Sequence, residues 1–290
     1  MEVIKIKPIG YCFGVINAIN LALKIKKEYP NNNVYLFGQI VHNNDVTNML
    51  LDAGIITIDT TSKDKISLLN EFKKDDIVIF SAHGHDKKYD DILIKNGIKF
   101  FDATCPKVSK NNDLIKKEVI SNKVIFIGKI GHPETEASLS ISNNVILYDI
   151  KNKMDYSLID VESPLVVNQT TLSFLEIEDI HQDIKNHFPK ARIIDEICDA
   201  TRLRQEKISS LKEKIDIFII IGSNKSSNTD KLYQIAKNKY QDSIPVIKVE
   251  NLDDLLKYDL SNIKKVAIAS GTSTPLKVVD EMETYLKGVN

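Results

Sequence analysis

The sequence of 290 residues lacks the features that mark several large classes of protein. It has 39 Lys and Arg against 40 Asp and Glu, so its net charge of −1 gives no sign of a surface that coats nucleic acid. No apolar run approaches the roughly 20 residues of a membrane-spanning helix, and we expect no membrane span. The segment from Met1 to Lys7 has the alternating character of a strand rather than a signal peptide, so we expect a cytoplasmic protein.

Cysteine is scarce as well. It occurs at three positions, Cys12, Cys105 and Cys198. An odd number of cysteines without a secretory signal argues against a disulfide framework. Three unrelated cysteines would most simply be small packing residues. These three are evenly spaced, because 93 residues separate the first from the second and again the second from the third. Equal spacing indicates an internal repeat.

Apolar runs bounded by small polar residues predict buried parallel strands, and they alternate with helical patterns. The predicted strands are Val34–Phe37, Ile77–Phe80, Val124–Gly128, Leu165–Val167, Ile217–Ile221 and Val266–Ala269. Shorter strands precede the cysteines, at residues 3–7, 98–101 and 191–194. A helix is predicted after each cysteine, and the one after Cys198 is expected to run from Leu203 to Ile215. This alternation predicts an α/β fold with mostly parallel sheets.

The repeat predicts three similar α/β units with pseudo-threefold symmetry around a central site. The expected domains are residues 13–100, residues 101–195, and residues 196–290 together with residues 1–12. The span after Cys198 ends before its final strand, so we expect the N-terminal strand to complete the third unit. Closure of the three units would bring the three cysteines to one centre.

Three converging thiolates would suit either zinc or an iron–sulfur cluster. The helix after each cysteine favours the thiolate through its free N–H groups and its dipole. Structural zinc normally has four ligands, often in closely spaced cysteine pairs, which this sequence lacks. A [4Fe–4S] cluster ordinarily uses four cysteines, so with three of them one iron would be open to a substrate.

Polar residues follow the predicted strands, at the edge where parallel α/β sheets bind ligands. They are His42, His83, His132, Thr170, Thr171, Ser226, Ser227, Asn228 and Ser273. A single loop histidine would more simply be structural, and Ser, Thr and Asn also cap helices. The sequence has no G-x-x-x-x-G-K-[ST] loop and no Lys/Arg cluster here. Imidazoles, hydroxyls, an amide and helix N-termini together could hold a diphosphate by hydrogen bonds.

Glu134 is the only carboxylate in these tight loops, two residues after His132. It could be a capping or surface acid. Alternatively, it could donate a proton to a leaving oxygen, which requires a pKa raised by a closed site.

Nine segments, in order over essentially the whole chain, resemble the 4-hydroxy-3-methylbut-2-enyl diphosphate reductase family of the non-mevalonate isoprenoid pathway. They are Gly10–Val15, Val41–Asn43, Ser81–Gly84, Asp102–Val108, Ile130–Glu134, Asn168–Ser173, Ile197–Gln205, Ser226–Asn228 and Gly271–Pro275. Two positions depart from the family pattern, since Lys129 replaces a usual His and Thr272 replaces a usual Ala. Neither position is an implied ligand.

The resemblance implies a reductive dehydration that uses two electrons and two protons and gives isopentenyl and dimethylallyl diphosphates. It implies that Cys12, Cys105 and Cys198 bind one [4Fe–4S] cluster with an open apical iron. Glu134 is implied as the proton donor, and Thr170 as the residue that orients the substrate hydroxyl. The implied diphosphate ligands are His42, His83, His132, Ser226, Ser227, Asn228 and Ser273. Ferredoxin or flavodoxin, with its reductase, is the implied electron donor.

Two alternatives from other functional classes stay open on the residues alone. The first is a zinc hydrolase with three cysteines and a water on the metal. The second is a diphosphate-binding redox sensor that carries a cluster but catalyses no reaction.

Overall fold

Three parallel β-sheets form the framework of the protein in a computed structural model that describes residues 1–41, 43–61, 64–152, 154–194 and 197–288. Each sheet has four strands, and every pair of neighbouring strands is parallel. Helices alternate with the strands along the chain. The predicted α/β class with parallel sheets is therefore confirmed.

Strands and helices follow one another in three consecutive series. The chain begins with β1 (Glu2–Lys5) and continues with α1 (Phe13–Glu28), β2 (Val34–Phe37), α2 (Asn44–Asp52), β3 (Ile55–Ile58), α3 (Lys65–Asn70), β4 (Ile77–Phe80), α4 (Lys88–Lys95) and β5 (Lys99–Asp102). The second series is α5 (Pro106–Glu118), β6 (Val124–Gly128), α6 (Pro133–Leu139), β7 (Val145–Asp149), a 3-10 helix (Tyr156–Leu158), β8 (Leu165–Asn168), α7 (Phe174–His187) and β9 (Arg192–Ile194). The third is α8 (Asp199–Ser209), β10 (Ile217–Ile221), α9 (Ser227–Tyr240), β11 (Val246–Val249), α10 (Leu252–Leu255), β12 (Lys265–Ser270) and α11 (Leu276–Gly288). In the described ranges, none of these helices has the length and apolar character needed to cross a membrane.

The three sheets share one strand order. It is β3-β2-β4-β5 in the first sheet, β7-β6-β8-β9 in the second and β11-β10-β12-β1 in the third. When the strands of each series are counted along the chain, they lie side by side in the order second, first, third, fourth. In the last sheet, β1 takes the place of the fourth strand. Val3 of β1 lies opposite Val266 of β12. The prediction of three similar units, with the N-terminal strand completing the third, is confirmed.

The central strands are buried on both faces, which explains their uninterrupted apolar sequences. In β6, Ile125 and Ile127 belong to a hydrophobic cluster on one face of the sheet, whereas Val124 and Phe126 belong to a cluster on the other. All residues of β4, β6 and β10 are buried. Full burial of such side chains contributes about 1.5–3 kcal/mol each relative to exposure.

The structure adds to and corrects the predicted elements. It contains three further strands, β3, β7 and β11, at the sheet edges, where only part of each strand is buried. The predicted helix from Leu203 to Ile215 is wrong at both ends, because α8 begins at Asp199 and ends at Ser209. Ile215 is instead buried as the chain leads into β10.

The chain divides into two compact units. One comprises Met1–Val15, Val41–Val46 and Cys198–Asn290, and it contains the sheet of β1, β10, β11 and β12. The other comprises Ile16–Ile40 and Thr47–Ile197, and it contains the other two sheets. The three domain boundaries expected from the sequence stay a prediction.

Candidate active site

The predicted ligand-binding residues follow the first and third strands of the sheets. His83 follows β4 in the first sheet, and His132 and Thr170 follow the neighbouring strands β6 and β8 in the second. Ser226 and Ser273 follow the neighbouring strands β10 and β12 in the third. In the first two sheets, the chain continues from the first strand to a neighbour on one side and from the third strand to a neighbour on the other side. This is the topological switch point at which parallel α/β sheets bind ligands.

Each cysteine follows the fourth strand of a sheet and directly precedes a helix. Cys105 and Cys198 are the N-cap residues of α5 and α8, and Cys12 comes immediately before α1. The Cys12 N–H donates to Thr272 O at 3.0 Å, and the Cys105 N–H donates to Ala82 O at 2.9 Å. The positions are therefore locally equivalent, as the 93-residue spacing indicated.

The three cysteines have the donor chemistry that an iron–sulfur cluster requires. All three side chains are partly exposed thiols, each at the N-terminal end of a helix, where negative charge is favoured. Over the described ranges, no group of three or more His, Cys, Asp or Glu side chains is arranged as a metal site. The donor set thus fits a cluster by its chemistry and its local positions, and the sharing of one cluster by all three stays a prediction.

Glu134 is a buried carboxyl in the first turn of α6, with 1% of its surface exposed. Its Oε1 accepts the Thr170 N–H at 2.8 Å, and its Oε2 accepts the Thr170 hydroxyl at 2.9 Å. Burial raises the pKa of Glu134 to about 7, against the lowering effect of both hydrogen bonds. Near neutral pH the carboxyl can therefore both hold and release a proton, as a proton donor at this position requires.

Two histidines lie next to each other near the N-terminus of α6, the helix that carries Glu134. His132 caps α6, and its Nδ1 accepts the Glu134 N–H at 3.2 Å, which places the proton of the neutral ring on Nε2. The ring centre of His83 lies 5.7 Å from that of His132, at 87° between the planes. His83 Nδ1 lies 3.3 Å from Ser81 Oγ. The compact unit with two sheets thus brings together His83, His132, Glu134 and Thr170.

In the other compact unit, hydroxyl groups gather at the start of α9. Ser226 caps this helix by accepting the Thr229 N–H at 3.3 Å, and the Ser273 hydroxyl donates to Ser226 Oγ at 3.2 Å. Ser227 is the first residue of the helix and is half-buried. The N-terminus of this 14-residue helix offers N–H groups and the positive end of the dipole. These features fit the binding of an anion such as a diphosphate.

Asn228 makes two contacts that the sequence did not reveal. It is 3% exposed, its Oδ1 accepts the Thr272 N–H at 3.0 Å, and its Nδ2 donates to Thr201 Oγ1 at 3.3 Å. Because Thr272 O accepts the Cys12 N–H, the amide of Asn228 is linked through one residue to the cysteine loop. Thr201, in the first turn of α8, was part of a matching segment but had no assigned role.

Glycines at three strand ends allow the helices to approach closely. A Cβ on Gly222 or Gly271 would lie 2.5 or 2.2 Å from Thr229 Oγ1, in the first turn of α9. A Cβ on Gly128 would lie 2.5 Å from Thr135 Oγ1, in the first turn of α6. These distances are far below ordinary carbon–oxygen contacts, so no larger residue fits without movement. The lack of a side chain brings each of these strand ends next to a helix N-terminus.

Two further positions singled out in the sequence are the expected ligand His42 and Lys129, which departs from the family pattern. His42 lies outside the described residues. Its neighbour Asn43 directly precedes α2, and its Oδ1 accepts the Asp45 N–H of the first turn at 2.9 Å. Lys129 has an exposed side chain, and its backbone N–H donates to Oε1 of the fully buried Gln169 at 3.1 Å. Lys129 thus contacts Gln169 through its main chain, as Thr272 contacts Asn228.

The chain resembles known proteins over its whole length. A 4-hydroxy-3-methylbut-2-enyl diphosphate reductase of Malacoplasma penetrans is 34% identical over 294 residues, which cover 99% of this chain and 97% of that protein. A reductase of the same name from Bacillus licheniformis is 36% identical over 292 residues, covering 99% and 91% of the two chains.

Solved structures show the same similarity. The E-1-hydroxy-2-methyl-but-2-enyl-4-diphosphate reductase from Plasmodium falciparum superposes with a TM-score of 0.86 at 28% identity, covering 99% of this chain and 88% of the other. A structure described as (E)-4-hydroxy-3-methyl-but-2-enyl diphosphate reductase, the terminal enzyme of the non-mevalonate pathway, gives a TM-score of 0.71 at 29% identity, covering 99% of each chain. The family model described as LytB protein matches residues 3–287. The chain therefore belongs to the LytB family.

Proposed function

We propose that this protein is an iron–sulfur oxidoreductase that converts 4-hydroxy-3-methylbut-2-enyl diphosphate to isopentenyl and dimethylallyl diphosphates. The reaction consumes two electrons and two protons and releases the substrate hydroxyl as water. Full-length similarity to reductases of this name supports the substrate and the reaction. Within this chain, the observation that carries the proposal is the buried Glu134, whose pKa is raised to about 7 beside Thr170.

Cys12, Cys105 and Cys198 are the proposed ligands of one [4Fe–4S] cluster. The family relationship and the equivalent place of each cysteine, after a fourth strand and before a helix, support this assignment. When bound, such a cluster supplies electrons and an iron without a cysteine ligand. Ferredoxin or flavodoxin, with its reductase, is the proposed electron donor, and the cytoplasm is the proposed location.

The proposed diphosphate ligands are His42, His83, His132, Ser226, Ser227, Asn228 and Ser273. The described members of this set offer imidazole, hydroxyl and amide groups and the N-terminus of α9, all of which can donate hydrogen bonds to phosphate oxygens. A fixed diphosphate would hold the other end of the substrate in place, and good positioning can lower a barrier by about 7–11 kcal/mol.

Glu134 is the proposed proton donor to the departing hydroxyl. Its carboxyl holds a proton below pH 7 and is shielded from bulk water, so the proton is available at the site. Thr170, which hydrogen-bonds to both carboxyl oxygens, is proposed to orient the substrate hydroxyl toward Glu134.

Anaerobic turnover with the hydroxylated diphosphate and a chemical reductant tests this function. We expect Glu134→Gln to bind the substrate but to turn it over at least about 100-fold more slowly, because general acid catalysis contributes factors of this size. Glu178→Gln is the matched variant, since Glu178 is an exposed residue of α7, and it should keep the wild-type rate. Wild-type turnover by Glu134→Gln would contradict the assigned proton donor.

Iron, zinc and sulfide analysis of the same preparations separates the alternatives. An active protein that contains zinc and no sulfide would be a zinc hydrolase, which contradicts the cluster. A wild-type protein that carries a cluster and binds the diphosphate without turnover would be a redox sensor. Cys105→Ser should lose both cluster and activity, and an active, cluster-bearing variant would refute its assignment as a ligand.

A further inference from the structure

Arg204 is a buried cation whose hydrogen bonds all go to backbone carbonyls. It lies in α8 with 3% of its surface exposed. Its Nη2 donates to Gly10 O at 2.7 Å, its Nε to Ser270 O at 3.2 Å, and its Nη1 to Ala200 O at 2.8 Å. Within the described ranges, no Asp or Glu side chain pairs with it. The guanidinium is therefore solvated by peptide dipoles without a carboxylate.

The charged groups that act on Arg204 are two of the cysteines. Burial lowers the pKa of the Arg204 guanidinium, and the electrostatic influence of Cys12 and Cys198 raises it. The group stays protonated, since arginine does not lose its proton in proteins. A buried charge is costly unless an opposite charge or hydrogen bonds compensate it. Cys12 and Cys198 carry negative charge when they bind a metal as thiolates, and they would then offset this cation.

The same side chain ties together the segments that carry these cysteines. Gly10, which accepts one bond, is two residues before Cys12, and Ala200, which accepts another, is two residues after Cys198. The third acceptor, Ser270, is bound to the first segment as well, because the Gly10 N–H donates to Ser270 Oγ at 2.8 Å. One rigid guanidinium thus binds the backbone just before Cys12 and just after Cys198. A flexible ammonium group cannot hold both segments in the same way.

We propose that Arg204 is a positioning residue for Cys12 and Cys198, and that its fixed positive charge favours the reduced form of the cluster that they hold. The proposal rests on the proposed function. Reduction adds one negative charge to the cluster, and a nearby buried cation stabilises that charge more strongly than an exposed one.

Hydrogen–deuterium exchange of the full-length chain, before cluster assembly, tests the positioning role. In Arg204→Met we expect the backbone amides of Gly10 and Cys12 to exchange at least about tenfold faster, because the bonds that hold their segment are lost. The amide of Cys105, whose partner is Ala82, should exchange as in wild type. Lys207→Met is the matched variant, since it removes an exposed cation from the same helix and should change neither segment.

The reduction potential of the assembled cluster tests the role of the charge. Arg204→Met should lower the equilibrium constant for one-electron reduction at least about tenfold, which corresponds to about 59 mV. Arg204→Lys keeps a positive charge but loses the planar set of guanidinium donors. The reduction potential of its cluster should therefore stay near wild type, while the Gly10 and Cys12 amides exchange faster. Lys207→Met should keep the wild-type potential, because water screens the charge of an exposed lysine.

The outcomes separate this inference from the proposed function. A wild-type potential in Arg204→Met would refute the effect of the charge, and wild-type exchange at Gly10 and Cys12 would refute the positioning role. A wild-type chain that assembles no iron–sulfur cluster would refute the proposed function and with it the effect on potential. The exchange measurement would still decide whether Arg204 orders the two cysteine segments.

Discussion

Replacement of Glu134 by Gln should remove a dependence of stability on pH that the wild-type protein owes to this one carboxyl. Glu134 is 1% exposed, and both its carboxyl oxygens accept hydrogen bonds from Thr170. Gln has nearly the same shape and can still accept the Thr170 N–H, but it does not ionise. The variant therefore changes the charge of a buried group with little change in packing.

The sign and size of the effect follow from the raised pKa. The usual pKa of a glutamate is 4.5, whereas burial raises that of Glu134 to about 7 in the folded protein. Between these values the folded protein retains a proton that the unfolded chain has released, so the free energy of unfolding falls as pH rises. The stabilising contribution is complete below pH 4.5 and is lost as pH passes 7. The difference between these two pKa values corresponds to about 3 kcal/mol in the free energy of unfolding.

Urea unfolding of the chain without a cluster, from pH 5 to pH 8.5, measures this contribution. The quantity to compare is the free energy of unfolding of Glu134→Gln minus that of wild type. It should rise across the range by up to about 3 kcal/mol. Glu178→Gln, which removes an exposed carboxyl of α7, should show no such rise. A difference that does not change with pH would refute a buried carboxyl that titrates near 7.

Two other substitutions test the geometry of the site. Thr170→Val removes the hydroxyl that helps to keep the pKa of Glu134 down, so the pH above which turnover declines should move upward by about one unit in a pH–rate profile. A shift to lower pH would contradict this hydrogen bond. Gly271→Ala places a Cβ against the β-branched Thr229 and should lower the free energy of unfolding by about 1–3 kcal/mol, measured with urea. In Gly288→Ala the added Cβ meets no neighbouring atom, so the free energy of unfolding should not change. Equal effects of the two substitutions would refute the close approach of Gly271 to Thr229.

Periodicity in the sequence is sufficient to predict the central strands of the sheets. The runs Ile77–Phe80, Val124–Gly128 and Ile217–Ile221 are buried on both faces, and an uninterrupted apolar run of this length is typical of a central parallel strand. The edge strands β3 and β11 were missed because they are short and partly exposed, so their pattern is weak. Hydrophobic spacing also extended the predicted helix to Ile215, although the residue packs in the core outside α8.

Candidate residues could be selected from the sequence where a residue type and its place after a strand both carried information. Glu134 is such a residue, since a single carboxylate in these loops suggested either a capping or surface acid or a proton donor with a raised pKa, and its burial excludes a surface acid and raises its pKa. The role of Arg204 was not predictable, because its partner Gly10 is 194 residues away and accepts through its backbone. Asn228 and Thr201 are likewise joined by the fold alone. Such contacts depend on tertiary packing and leave no local pattern in the sequence.

The most direct test of the proposed function is the ratio of electrons consumed to product formed by the cluster-loaded wild-type protein. Under anaerobic conditions, a measured amount of chemical reductant is supplied with excess hydroxylated diphosphate, and the products are quantified. We expect one molecule of isopentenyl or dimethylallyl diphosphate for every two electrons consumed. Electron consumption without either product, or hydrolysis of the substrate without electron consumption, would contradict it.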